Sequence, residues 1–104
     1  MKARPSDCDL VLAALRERPY ERRDLRDHLG IADNYMRAAV EELRAGGVLL
    51  VHDGEHYRLA ETMEEYRAWR AYHWSRASRM IEQIRRMDET AMRTWPEQMT
   101  LEAA

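Results

Sequence analysis

Lysine is nearly absent from this chain of 104 residues: of its 17 basic residues only Lys2 is not arginine. Phenylalanine is missing altogether, and there is a single cysteine, Cys8. One cysteine excludes an internal disulfide framework, so a cytoplasmic location is expected, with Cys8 as a small packing residue. No apolar run approaches the roughly 18 residues that span a bilayer. The N-terminal "MKARPSDCDL" has no long apolar stretch, so no secretory signal is read there. Glycine numbers 4 and proline 3, and neither occurs between Gly54 and Pro96. That gap excludes turns from the whole second part of the chain and leaves room for one long helix. An excess of charge is lacking too. Lys+Arg number 17 against 19 Asp+Glu, a formal net charge of -2. Net charge therefore gives no support to a polyanion partner. The identity of the cations is different evidence. Arginine makes bidentate contacts to phosphate and guanine that lysine cannot, although a GC-rich coding sequence also favours Arg over Lys.

What is present is a hydrophobic fraction of 45% with 35% charged residues, the make-up of a soluble globular protein. The length allows one domain, and a domain this small buries too little surface to be more than marginally stable without a partner. "SDCDLVLAALRERP" reads as a first helix. Ser6 or Asp7 caps it, Asp9 completes a capping box, Leu10, Val11, Ala14 and Leu15 form its apolar stripe, and Pro19 ends it. "YERRDLRDHLG" reads as a short second helix with Leu25 and Leu29 inward and Gly30 as a left-handed cap. "ADNYMRAAVEELRAGG" reads as a third helix. Met36, Val40 and Leu43 form its inner face, and Asn34, Tyr35, Arg37, Ala38 and Glu41 lie outside it. "VLLVHDGEHYRLA" reads as a β-hairpin about Asp53-Gly54, with a type I′ turn.

From Glu61 onward the pattern is helical for about 30 residues. Tyr66, Arg70, His73, Ala77, Met80, Ile84, Met87 and Ala91 alternate in steps of four and three, a heptad seam. Trp69, Tyr72 and Trp74 crowd the same helix. Aromatics at helical spacing are ordinarily packing residues. A helix of about 45 Å does not easily cover both its tryptophans and its seam by folding back on so small a domain, although an amphipathic helix folded back on its own domain is the alternative. A second copy of the chain is the expected partner, joined through Tyr66, His73, Ala77, Met80, Ile84, Met87 and Ala91.

Helix, helix, tight turn, helix, hairpin is the order of a winged helix-turn-helix. The run "LGIADNYMRAAVEELRAGGVLLVHDGEHYRLA" resembles that of small winged-helix proteins of bacteriophages and prophages, and the resemblance extends over roughly residues 8–90. It implies a mainly α chain with a small β-hairpin, of α+β class. Residues 6–60 would be a winged helix-turn-helix domain, 61–92 a long C-terminal dimerisation helix, and 93–104 a flexible tail. In such proteins the third helix enters the major groove and the second crosses the backbone. Asn34 and Arg37 are then the base readers, since Asn bonds adenine and Arg bonds guanine bidentately. Tyr35 and Ala38 share that helix. Arg22 and Arg23 open the second helix, where this architecture holds a phosphate, and His52, His56 and Arg58 lie on the wing. Ala32 stands where relatives commonly carry a Ser or Thr cap, with Asp33 one position later. Counting Arg22, Arg23, Arg58 and Arg44 as phosphate contacts, roughly four per protomer, log K should fall against log salt with a slope near −3 to −4.

Two functions fit these residues. One is a sequence-specific double-stranded DNA-binding regulator, a homodimer of bacterial or phage type. The other is a winged-helix module that docks another protein of a phage or replication complex. No catalytic motif occurs, so no enzyme is expected. His52 and His56 have a spacing that a metal could use on a hairpin, but no cysteine joins them and Asp53-Gly54 is better explained as a turn. No metal, cofactor, small-molecule ligand or membrane partner is expected.

Overall fold

The computed structural model of the chain describes residues 2–98. Its elements are α1 (Pro5–Glu17), β1 (Tyr20–Glu21), α2 (Arg22–Leu29), α3 (Asp33–Ala45), β2 (Leu50–His52), β3 (His56–Leu59) and α4 (Met63–Thr94). This is an α+β chain with a small antiparallel sheet and a long C-terminal helix. It divides into two compact units, one running through Trp69 and one from Arg70 onward. Among the described residues no helix is long and apolar enough to cross a membrane.

Helix α1 starts earlier than the expected Ser6 or Asp7 cap. Pro5 occupies the first turn, where its fixed φ suits a helix and its missing N–H costs nothing. Arg4 is the N-cap and makes no side-chain cap bond. Asp7 is therefore not a cap. It is buried, 3% exposed, and accepts a bond of 2.6 Å from Arg4 Nε. A buried carboxylate needs such a partner. Val11, Ala14 and Leu15 face the core as expected, whereas Leu10 is 45% exposed. Cys8 is half-buried, and burial pushes its thiol pKa up, which suits a packing residue.

Tyr20 and Glu21, expected in the second helix, form β1 instead. Arg18 ahead of Pro19 is extended, as the residue before a proline prefers. The extended chain buries Tyr20 and pairs Tyr20 with Tyr57 and Glu21 with His56. The sheet order is β1-β3-β2. Helix α2 then buries Leu25 and stops at Gly30, in the left-handed conformation expected there. Helix α3 buries Met36, Ala39 and Val40 and half-buries Leu43. Its end is a Schellman motif: Gly47 N–H donates to the Arg44 carbonyl and Val48 N–H to the Leu43 carbonyl, both at 3.0 Å. Gly47 has φ 90, a value that other residues reach only with strain.

The hairpin turn differs from expectation. His52 pairs with Tyr57, and Asp53 N–H donates to the His56 carbonyl at 3.1 Å, so the central pair is Gly54-Glu55. Gly54 has φ 100 and no residue other than glycine has positive φ among the described residues. Positive φ at the first central position alone is the type II′ signature, not type I′. Asp53 is the corner. Its Oδ1 accepts the N–H groups of Glu55 at 2.9 Å and His56 at 2.8 Å, and these bonds hold its carboxyl below the usual carboxylate range.

Helix α4 opens on a variant of the capping box, with the return bond one residue early, that the periodicity does not reveal. Thr62 Oγ1 accepts the Glu65 N–H at 3.2 Å, while the Glu65 carboxylate reaches back to the Glu61 N–H at 3.0 Å. The helix runs to Thr94, two residues past the expected end. Residues 99–104 of the expected tail lie outside the described residues. No residue of α4 is buried.

Candidate nucleic-acid interface

The candidate site lies on the first unit, where the first turns of α2 and α3 meet. Arg22 opens α2 and Asp33 opens α3. Arg22 Nε donates to Asp33 Oδ1 at 2.9 Å and its Nη2 to Oδ2 at 2.5 Å, a bidentate pair across the Gly30 turn. Arg37, one turn into α3, stands 3.7 Å from the same carboxylate. One acid thus gathers two of the expected DNA contacts. The Arg22 hydrogen bonds hold the Asp33 carboxyl below its ordinary range. Its place in the first turn of α3 is favourable as well, because a negative charge there opposes the helix dipole.

Asn34 and Arg37 are exposed on α3, and Arg23 is exposed on α2. Ala38 corrects the expectation: it is 7% exposed and so belongs with the buried side of α3, not its outer face. By helical spacing Ala38 lies roughly 160° round α3 from Met36 and Val40, so periodicity places it outside, yet its small methyl is covered. Tyr35 is half-buried, with the Arg4 guanidinium 3.7 Å from its ring centroid. One face of the ring is therefore occupied by a cation.

The candidate residues of the hairpin are each engaged by neighbours. His52 Nδ1 accepts the Gly54 N–H at 3.1 Å, and its ring meets Tyr57 edge-on at 4.8 Å. His56 Nδ1 stands 4.0 Å from Asp53 and 3.8 Å from Glu55. Arg58 is paired with Asp53 at 3.1 Å and with Glu65 at 3.7 Å. Arg44, counted above as a phosphate contact, is withdrawn from that role. Its Nε donates to the Leu50 carbonyl at 2.7 Å, its guanidinium lies 5.0 Å from the Trp69 ring centroid, and its burial pulls its pKa down. It is a structural tie between α3 and β2. Among the described residues no group of three His, Cys, Asp or Glu side chains is placed to hold a metal ion.

The seam of α4 is open to solvent at Arg70, Ala77, Met80, Ile84 and Met87, and half-buried at Tyr66, His73 and Ala91. Ile81 and Trp74 beside it are exposed too.

Sequence reasoning places Asp33 one position after the expected cap of the third helix and misses its grip on Arg22. The missing partner is eleven residues away across a turn. A search for pairs three or four apart, the spacing that meets on one helix, cannot find it. No family model matches the chain, and no curated protein or solved structure matches it.

Proposed function

We propose that the chain is a sequence-specific double-stranded DNA-binding protein, a cytoplasmic transcriptional regulator of bacterial or phage type that acts as a homodimer through α4. The order α1-β1-α2-α3-β2-β3 supports a winged helix-turn-helix reading. The observation that carries it is the pairing of exposed Asn34 and Arg37 on α3 with Arg22 at the adjoining first turn of α2. Base-reading and phosphate-holding groups then lie side by side, as a reading head needs.

In this mechanism α3 enters the major groove and the first turn of α2 meets the backbone. Two of the five N–H donors of Arg22 are held by Asp33. The carboxylate orients the guanidinium and also opposes an incoming phosphate. With Arg44 withdrawn, Arg22, Arg23 and Arg58 remain, and the slope of log K against log salt should be about −3 per protomer. A titration of a selected site at several salt concentrations measures this, and a flat response overturns the reading. Arg37→Ala should relax base preference at a cost of about 1–3 kcal/mol. Arg22→Ala should weaken all sequences alike, since phosphate contacts position without specifying. Unchanged affinity and preference in Arg37→Ala would remove α3 from the role of reader.

Asp33→Asn gives the opposite sign. Removing the like charge beside the phosphate should tighten binding about fivefold, close to 1 kcal/mol. A binding isotherm on random-sequence duplex measures it, and weaker binding would mean that orientation of Arg22 outweighs repulsion.

A second reading, a module that docks another protein, is favoured by one observation. Arg4, Arg22, Arg26, Arg37 and Arg58 of the first unit all face acidic groups. Absence of retained DNA at low salt would favour that module.

A further inference from the structure

The apolar seam of α4 is uncovered among the described residues, and its composition carries information about direction. Within the second unit the seam runs through Arg70, His73, Ala77, Met80, Ile84 and Met87. Arg70, Ala77 and Ile84 fall at one heptad position, and His73, Met80 and Met87 at the other. Met80, Ile84 and Met87 are each at least half exposed. A row of large apolar side chains left wet marks an interface.

In a parallel, in-register pair of such helices each seam residue meets its own copy. Arg70 would face Arg70, His73 would face His73, and Ala77 would face Ala77. Like charges would meet in the seam, and two methyls would leave a gap that neighbouring side chains fill only in part. An antiparallel pair instead sets residues of the two heptad positions opposite each other. Aligned on Ala77 against Met80, it places His73 against Ile84 and Arg70 against Met87. Small meets large at the centre, and each arginine lies across from a flexible apolar side chain, along which its stem packs. Asp88, next to Met87, is then within reach of the Arg70 guanidinium of the other chain. Neither Arg70 nor Asp88 has an ion-pair partner among the described residues; the contact recorded for Arg70 is with the Trp74 ring, 5.2 Å from its centroid. Trp74 and Ile81, both exposed, lie on one flank of the seam, and the same alignment turns the Trp74 flank of one helix toward the Ile81 flank of the other.

We propose that the occupant of this face is a second copy of the chain, with its α4 running antiparallel and Ala77 opposite Met80. The proposal rests on the homodimer reading above and adds its direction and register. It makes the charge pattern intelligible: one Arg70–Asp88 pair closes each end of the seam, and no like charges meet inside it.

Single cysteines test it. Ala77→Cys and Met80→Cys are made separately in a Cys8→Ala chain. Both positions are exposed, so neither substitution opens a core. The two variants are mixed, allowed to exchange and oxidised gently. A disulfide needs Cα atoms within about 7 Å, so it reports which positions face each other. The expected result is the heterodisulfide that joins an Ala77→Cys chain to a Met80→Cys chain, well above the half that random pairing would give. Predominant homodisulfides, each variant crosslinked to its own kind, would mean a parallel pair. That outcome overturns the direction and leaves the homodimer standing. Absence of any crosslink in a chain that sediments as a dimer overturns this register. Absence of any crosslink in a chain that sediments as a monomer overturns the homodimer as well.

Discussion

Ile84→Glu should leave the chain folded and make it monomeric. Ile84 is half exposed within its own chain, so the fold does not depend on its burial. Packed against a second helix, however, a glutamate there would bury a carboxylate on each side of the two-fold axis. In the register proposed above it would face His73 of the other chain, a single partner that does not replace the lost Ile84 packing or the water of a carboxylate, and such burial costs several kcal/mol. Sedimentation equilibrium measures the result at about 50 µM, where mass action favours association. Wild type should sediment as a dimer and Ile84→Glu as a monomer, with equal helix content by circular dichroism. Affinity for a palindromic site should fall with it, because two linked half-site contacts become one, a loss that ranges from about 10² to 10⁴. A wild-type monomer would refute the homodimer. A dimer indifferent to Ile84→Glu would move the interface off this seam.

Leu25→Ala should cost the first unit about 2–5 kcal/mol. Leu25 has no exposed surface and packs in one cluster with Val11, Leu15, Tyr20, Met36 and Leu50. Those residues come from α1, β1, α3 and β2, so the cavity would open where several elements meet. A domain of this size has only about 5–15 kcal/mol in all, and much of it would be lost. Urea denaturation followed by circular dichroism should show a lower midpoint with an unchanged slope. A midpoint equal to that of wild type would show that the core collapses around the missing side chain. DNA binding should fail above the lowered melting temperature and persist below it, since Leu25 belongs to the core and not to the candidate surface. Arg22→Ala gives the contrary pattern, with unaltered melting and weakened binding.

Periodicity is sufficient for the helices and the hairpin because each repeats its signal. Val11, Ala14 and Leu15 in α1 and Met36 and Val40 in α3 recur at helical spacing, and Gly30 marks a turn by itself. β1 has two residues and cannot display an alternation. Its partner strand lies far along the chain, so only the folded backbone brings Tyr20 to Tyr57. The hairpin is legible and its turn is not. Asp-Gly fits a type I′ pair in isolation, but the register of β2 on β3 shifts the centre to Gly54-Glu55 and leaves Asp53 as the hydrogen-bonding corner. The candidate site is legible as a set of residue types. Its electrostatics are not, because the partners of Arg22, Arg44 and Arg58 come from other elements. Ala38 lies nearly opposite the inner stripe by helical spacing, so periodicity alone places it outside although the fold covers it.

The two-residue β1 has a mechanical consequence. Glu21 pairs with His56, and the next residue in the chain is Arg22. The turn end of the hairpin is thus fastened to the backbone immediately ahead of the α2 terminus. The hairpin is not a free flap: lifting it breaks the β1–β3 ladder and withdraws Tyr20 from the core. Opening of the wing and loosening of the α2 terminus are therefore one cooperative event. Amides of β1 and β3 should exchange with solvent deuterium together, at a common rate, and a contact that steadies the wing tip should slow exchange at Glu21 without touching it.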